Sequence, residues 1–195
     1  YDRNANTPPG AAFTEPKRVI AGPATGIEFV CGLYVDQPSV DIYAIHADTA
    51  AVMQVFSREK SGNVPPIREL HTGGDARGRG FAVDAVRNEL FIGSQHNSAV
   101  AVWRKMAEGD EPPIRLLQGD RTRLANPTGM AFYKAKDLLF VANHGQVSSR
   151  TTDRPNPEHR PLGTRAAVPG SGRFVEPSIN VYDRAASGDT PPLRM

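Results

Sequence analysis

Cysteine is all but missing from this chain of 195 residues. Cys31 stands alone, so no intrachain disulfide can form, and within its apolar run it reads as a small buried hydrophobe rather than a nucleophile. Long apolar runs are missing as well, and nothing approaches the roughly 18 residues of a membrane span. An excess of one charge is missing: 23 Lys and Arg against 21 Asp and Glu leave +2, with the arginines scattered. That balance gives no reason to expect nucleic acid or a membrane surface as partner. No long stretch has 3.6-residue periodicity, which removes the helical folds. A phosphate loop, a dinucleotide fingerprint, a Gly-x-Ser-x-Gly elbow and a His-x-x-x-His spacing are all absent. No export leader is visible. The chain opens at Tyr1 rather than Met, which fits a processed or excerpted product and gives no argument for the cytoplasm.

What is abundant is turn chemistry, with 18 Gly and 17 Pro, and it is organised. Gly62-Asn63-Val64-Pro65-Pro66-Ile67-Arg68 returns as Gly109-Asp110-Glu111-Pro112-Pro113-Ile114-Arg115 and as Gly188-Asp189-Thr190-Pro191-Pro192-Leu193-Arg194. A worn copy stands at Glu15-Pro16-Lys17-Arg18. Each copy follows an aromatic-basic punctuation: Tyr1-Asp2-Arg3, Phe56-Ser57-Arg58, Trp103-Arg104-Lys105 and Tyr182-Asp183-Arg184. A period of about 47 residues belongs to repeat architectures.

Between these marks lie short runs rich in β-branched and aromatic residues. Residues 80–84, 90–93, 99–103 and 114–117 read as four strands with turns between them. Residues 31–36 and 129–133 match the first strand, 42–46 and 139–143 the second, 52–56 and 178–182 the third. The fold class is therefore all-β, and four antiparallel strands per 40 to 50 residues is the β-propeller blade. Proline lacks an amide hydrogen, so each Pro-Pro pair is expected at the outer hairpin of its blade, guarding the edge. A Pro-rich ligand for an aromatic groove is the competing reading of the pair.

The order of motifs resembles that of bacterial proteins built from NHL-like or YVTN-like propeller repeats, part of a lactonase-like superfamily. An inner Gly-Φ-Ala-Val-Asp strand leads to a Leu-Phe-Val-Ala-Asn strand, a Val-Tyr/Phe-x-Arg strand end and the Pro-Pro-Ile-Arg segment. The resemblance implies one propeller domain. Residues 1–28 would be the outer strands of a preceding blade, and 29–72, 79–118 and 128–195 three full blades, the last with an insertion at 145–177. It also implies an extracytoplasmic location, since many such proteins are exported or surface-bound. Three blades are fewer than a closed ring needs. The alternatives are an excerpt of a longer propeller, two copies closing a six-bladed ring, or an open array.

Three places are candidates for function. Register puts His46, Ser94 and Asn143 at one equivalent position, followed by Gln95 and His144, with His96 nearby; loop ends like these converge on a propeller channel. In calcium-dependent lactonases such loops hold the metal, so Asp36, Asp84, Asn143 and His144 are the candidate calcium ligands here, although no channel Glu of that family is matched. Asp36 and Asp84 are equally explained as caps of the following turns, and Tyr133 stands in their place in the last blade. The third place is the insertion of more than 30 residues, rich in arginine and proline, where Arg154, Arg160 and Arg173, with Phe174 as apolar anchor, suit a protein partner. The expectation is a non-catalytic binding or scaffold module without a cofactor. A calcium-dependent hydrolase and a subunit of a larger surface assembly are the alternatives.

Overall fold

The computed structural model describes residues 1–195 except 3, 38, 40, 47–49, 74–77, 96 and 149–172, and only the backbone at 146–148 and 173–175. The described residues form three antiparallel sheets and one small hairpin, with three 3₁₀ turns and no α-helix. The first sheet contains β1 (Val30–Val35), β2 (Ile42–His46), β3 (Val52–Phe56) and β4 (Arg68–His71) in that order. The second contains β5 (Gly78–Asp84), β6 (Glu89–Ser94), β7 (Ala99–Arg104) and β8 (Arg115–Gln118). The third is ordered β13-β10-β9 from β9 (Pro127–Tyr133), β10 (Leu138–Asn143) and β13 (Ser178–Asp183). Between β10 and β13, β11 (Gln146–Ser148) pairs with β12 (Arg173–Val175).

The sheets stack through both faces of the second. Tyr43, Ile45, Met53, Val55 and Leu70 of the first sheet meet Val83, Leu90, Ile92 and Trp103 of the second. From its other face Phe91, Val100, Val102 and Leu117 meet Leu139, Val141 and Tyr182 of the third. Because side chains alternate along a strand, the second sheet has one face toward the first and one toward the third. The strands are correspondingly apolar on both sides, which is why the sequence shows runs rather than clean alternation. The first strands β1, β5 and β9 run side by side. Gly80 allows this, since a Cβ there would lie 2.0 Å from the Thr128 carbonyl oxygen.

The first two Pro-Pro segments lie in the connections between third and fourth strands, the last leads from β13 to an isolated Val181–Arg194 bridge, and their glycines join one sheet to the next. Gly62, Gly109 and Gly188 form parallel bridges to Ile20, Leu70 and Leu117. At each, the glycine N–H donates to the preceding unit (Val19, Glu69 and Leu116 carbonyls) and its carbonyl accepts from Ala21, His71 or Gln118. All three glycines have positive φ, between 59° and 81°, which a side chain would strain. The segment at Ile20 thus makes the same two hydrogen bonds as the fourth strands β4 and β8. The motif arginines also have a common seat: Arg68 lies over the Tyr43 ring and Arg115 over Phe91.

A candidate interaction surface

The residues expected at a channel mouth are mostly occupied in holding the chain together. His46 and Asn143 end equivalent strands, and both are buried. The Glu28 N–H donates to His46 Nδ1 at 3.5 Å, and the Ala125 N–H donates to Asn143 Oδ1 at 3.1 Å. Each therefore fastens the segment that enters its sheet, downstream of a matching 3₁₀ turn (Pro23–Thr25, Asp120–Thr122). The partners on the third strands correspond too: Gln54 Nε2 donates to the Thr25 carbonyl, and Asn180 Nδ2 and the Tyr182 hydroxyl donate to that of Thr122. Burial pushes the His46 imidazole below its usual pKa, with Gln54, Glu28 and Glu69 acting in the opposite direction. Gln95 is half-buried and His144 exposed, while His96 lies outside the described residues.

The four candidate calcium ligands do not converge. β5 begins opposite Ser94 and finishes at Asp84 opposite Glu89, so Asp84 and Asp36 lie at one end of their sheets. Asn143 and His144 lie at the other, a strand length of about 17–20 Å away for six residues. Among the described residues no group of three or more His, Cys, Asp or Glu could hold a metal ion. Asp36 and Asp84 do cap the following turns. Asp36 Oδ2 accepts from the Ser39 N–H and hydroxyl, and Asp84 Oδ1 accepts from the Val86 and Arg87 N–H groups.

The same two carboxylates also join sheets, which sequence reasoning missed. Asp36 is wholly buried, and Lys105 Nζ from beyond β7 donates to its Oδ2 at 2.9 Å. Arg184, beyond β13, stands in the same register, two residues after Tyr182 as Lys105 is two after Trp103. It lies 3.9 Å from Asp84 and pairs with Glu89, which also takes two hydrogen bonds from Arg115. Arg87 links Asp84 to Asp137 across the same boundary. Burial alone would raise the Asp36 carboxyl, but hydrogen bonds from Ser39 and Lys105 outweigh it and hold the group below the usual carboxylate range. The signal for these cations was the aromatic-basic punctuation itself, whose third residue is Arg58, Lys105 or Arg184.

Arg58 follows β3 of the first sheet, on whose forward face no further sheet packs among the described residues. It is exposed and holds no ion pair among the described residues. It borders a concavity of about 430 Å³ on the forward face of the first sheet. Ile20, Ile27, Leu33, Ile42, Ala44 and Phe56 line it, with Lys17, Arg18 and Lys60 joining Arg58 around them. Leu33 is 69% exposed here, whereas its equivalents Phe81 and Met130 pack against a neighbouring sheet. Of the insertion residues, Arg154 and Arg160 lie outside the described residues. Arg173 and Phe174 stand in β12, opposite Ser148 and Val147.

No protein-family model matches this chain, and none of the curated proteins matches it. Among the described residues no helix is long and apolar enough to cross a membrane.

Proposed function

We propose that this protein is a non-catalytic binding or scaffold module of β-propeller type, engaging a protein partner. The observation that carries the reading is the concavity on the forward face of the first sheet, where Ile20, Ile27, Leu33, Ile42, Ala44 and Phe56 are ringed by Lys17, Arg18, Arg58 and Lys60. An apolar floor with a polar rim is the anatomy of a protein interface. The resemblance to exported propeller repeats supports a location outside the cytoplasm for that role. The insertion lies between β11 and β12 in the sequence, and its Arg154, Arg160 and Arg173 would offer a second contact to an acidic partner.

Affinity capture with immobilised wild-type protein and with Leu33→Asp tests this. Leu33 is exposed, so the substitution spares the core while placing a charge in the middle of the proposed contact. A partner retained by wild type and lost from Leu33→Asp is the expected result. Equal retention by both contradicts the reading.

A further inference from the structure

We infer that His46 is an acid-sensitive latch: protonation of its imidazole releases residues 23–28, the segment that enters the first sheet. This behaviour is independent of the binding role proposed above. The molecule builds such an entry segment twice, amide for amide. The Ala24 N–H donates to Asn63 Oδ1 and the Arg121 N–H to Asp189 Oδ1, each acceptor standing next to a motif glycine. Thr25 and Thr122 close the turn onto the Gly22 and Gly119 carbonyls through N–H and hydroxyl alike. Those hydroxyls in turn accept from the Ile27 and Leu124 N–H groups. The last amide, of Glu28 or Ala125, donates to the side chain that ends the second strand. There the copies differ in a way that acid can read: the acceptor is an imidazole in one and a carboxamide in the other.

Because Nδ1 accepts the Glu28 N–H, the hydrogen of the neutral His46 ring sits on Nε2. Protonation puts a second hydrogen on Nδ1, where it faces a donor, and places a charge on a side chain with no exposure to water. Among the described residues the charged groups acting on the ring are Glu28, in the segment itself, and Glu69 of β4. Both favour the imidazolium, and burial outweighs them. Glu69 Oε1 is already engaged, accepting from Gln54 Nε2 at 2.7 Å. The same Gln54 nitrogen holds the Thr25 carbonyl, so the ring, the glutamine and the turn form one assembly. Opening the segment lets water solvate the imidazolium, and acid therefore favours the open form. Asn143 gains no proton in this range, so residues 121–125 stay fastened.

Amide hydrogen exchange followed by NMR, corrected for the intrinsic pH dependence of exchange, tests this in the wild-type protein. Between pH 7 and 5, protection of amides 25–28 should fall by at least ~5-fold relative to amides 122–125. The full effect is ~25-fold, for a ring that titrates near 6.5 when open and stays neutral when latched. The loss should follow the titration of the His46 ring-proton shifts. His46→Asn, which copies the acceptor of the third sheet, should remove it. A smaller relative fall in wild type, a fall that does not follow the His46 titration, or one that persists in His46→Asn overturns the inference. The first two readings use wild-type protein alone, so they decide even where the variant does not fold.

Discussion

Lys105 and Asp36 are 69 residues apart in sequence and 2.9 Å apart in space, the ammonium nearly buried and the carboxylate fully so. The pair fixes the second sheet against the first at the end of the strands. Two buried charges are costly to desolvate, and removal of one partner leaves the other uncompensated, at about 3–5 kcal/mol.

The first prediction concerns acid. The Asp36 carboxyl is held below its ordinary pKa by Ser39 and Lys105, so the folded state binds its proton less readily than the unfolded chain. Its stabilising contribution is therefore complete above the unfolded value of about 4 and is lost as pH falls through the lower folded value. In Asp36→Asn, urea midpoints between pH 5 and 2 should lose this part of the acid slope. An unaltered slope would contradict the assignment.

His46 has the same sign at a higher pH. Its imidazole is depressed by burial and accepts the Glu28 N–H at Nδ1, so protonation removes an acceptor as well as burying a charge. Stability is complete above the unfolded pKa of about 6.5 and falls as pH drops below it. His46→Asn imports the residue found at the equivalent Asn143 position and should flatten the stability profile between pH 7 and 5. His46→Ala should cost about 1–3 kcal/mol at pH 7, because the Glu28 N–H loses its acceptor.

Gly80 is the steric test of how closely the first strands approach. A Cβ at this position meets the Thr128 backbone, which has no flexible end to move aside. Gly80→Ala should destabilise by about 3 kcal/mol or more, at the upper end for overpacking. Gly129→Ala, whose nearest contact is an ordinary 3.7 Å to the Ala142 side chain, should cost much less. Thermal melts of the two variants decide it.

Tyr182 should be among the last tyrosines to ionise. Burial pushes its phenol up to about 12, against a smaller opposing effect of Asn180. Stability from this group is complete below pH 10 and is lost as pH rises through about 12. Ultraviolet titration should show a tyrosinate step near that value that is missing from Tyr182→Phe.

Much of the local structure was legible in the sequence, because strands and turns are specified by neighbours in the chain. Residues 42–46 and 52–56 form strands with the expected limits, and the first two Pro-Pro segments fall in the third-to-fourth strand connections. The turn-capping role of Asp36 and Asp84 was legible for the same reason. Their partners were not, since Lys105 and Arg184 reach them from other sheets. His46 shows the limit most clearly. A polar residue at a strand end has the same spelling whether it faces a channel or accepts a buried N–H, and only the packing of Glu28 against it decides. The short pairing of β11 with β12 left no alternation long enough to read.

The central claim is that a cation beyond the third strand holds a neighbouring sheet through the aspartate that closes its first strand. The most direct measurement is a double-mutant cycle on the pair where that contact is complete, with Asp36→Asn, Lys105→Met and the double variant unfolded in urea at pH 7. A coupling energy of about 1.5 kcal/mol or more, beyond the range of exposed pairs, is the result predicted. A coupling below about 0.5 kcal/mol, typical of an ion pair at the surface, would contradict it.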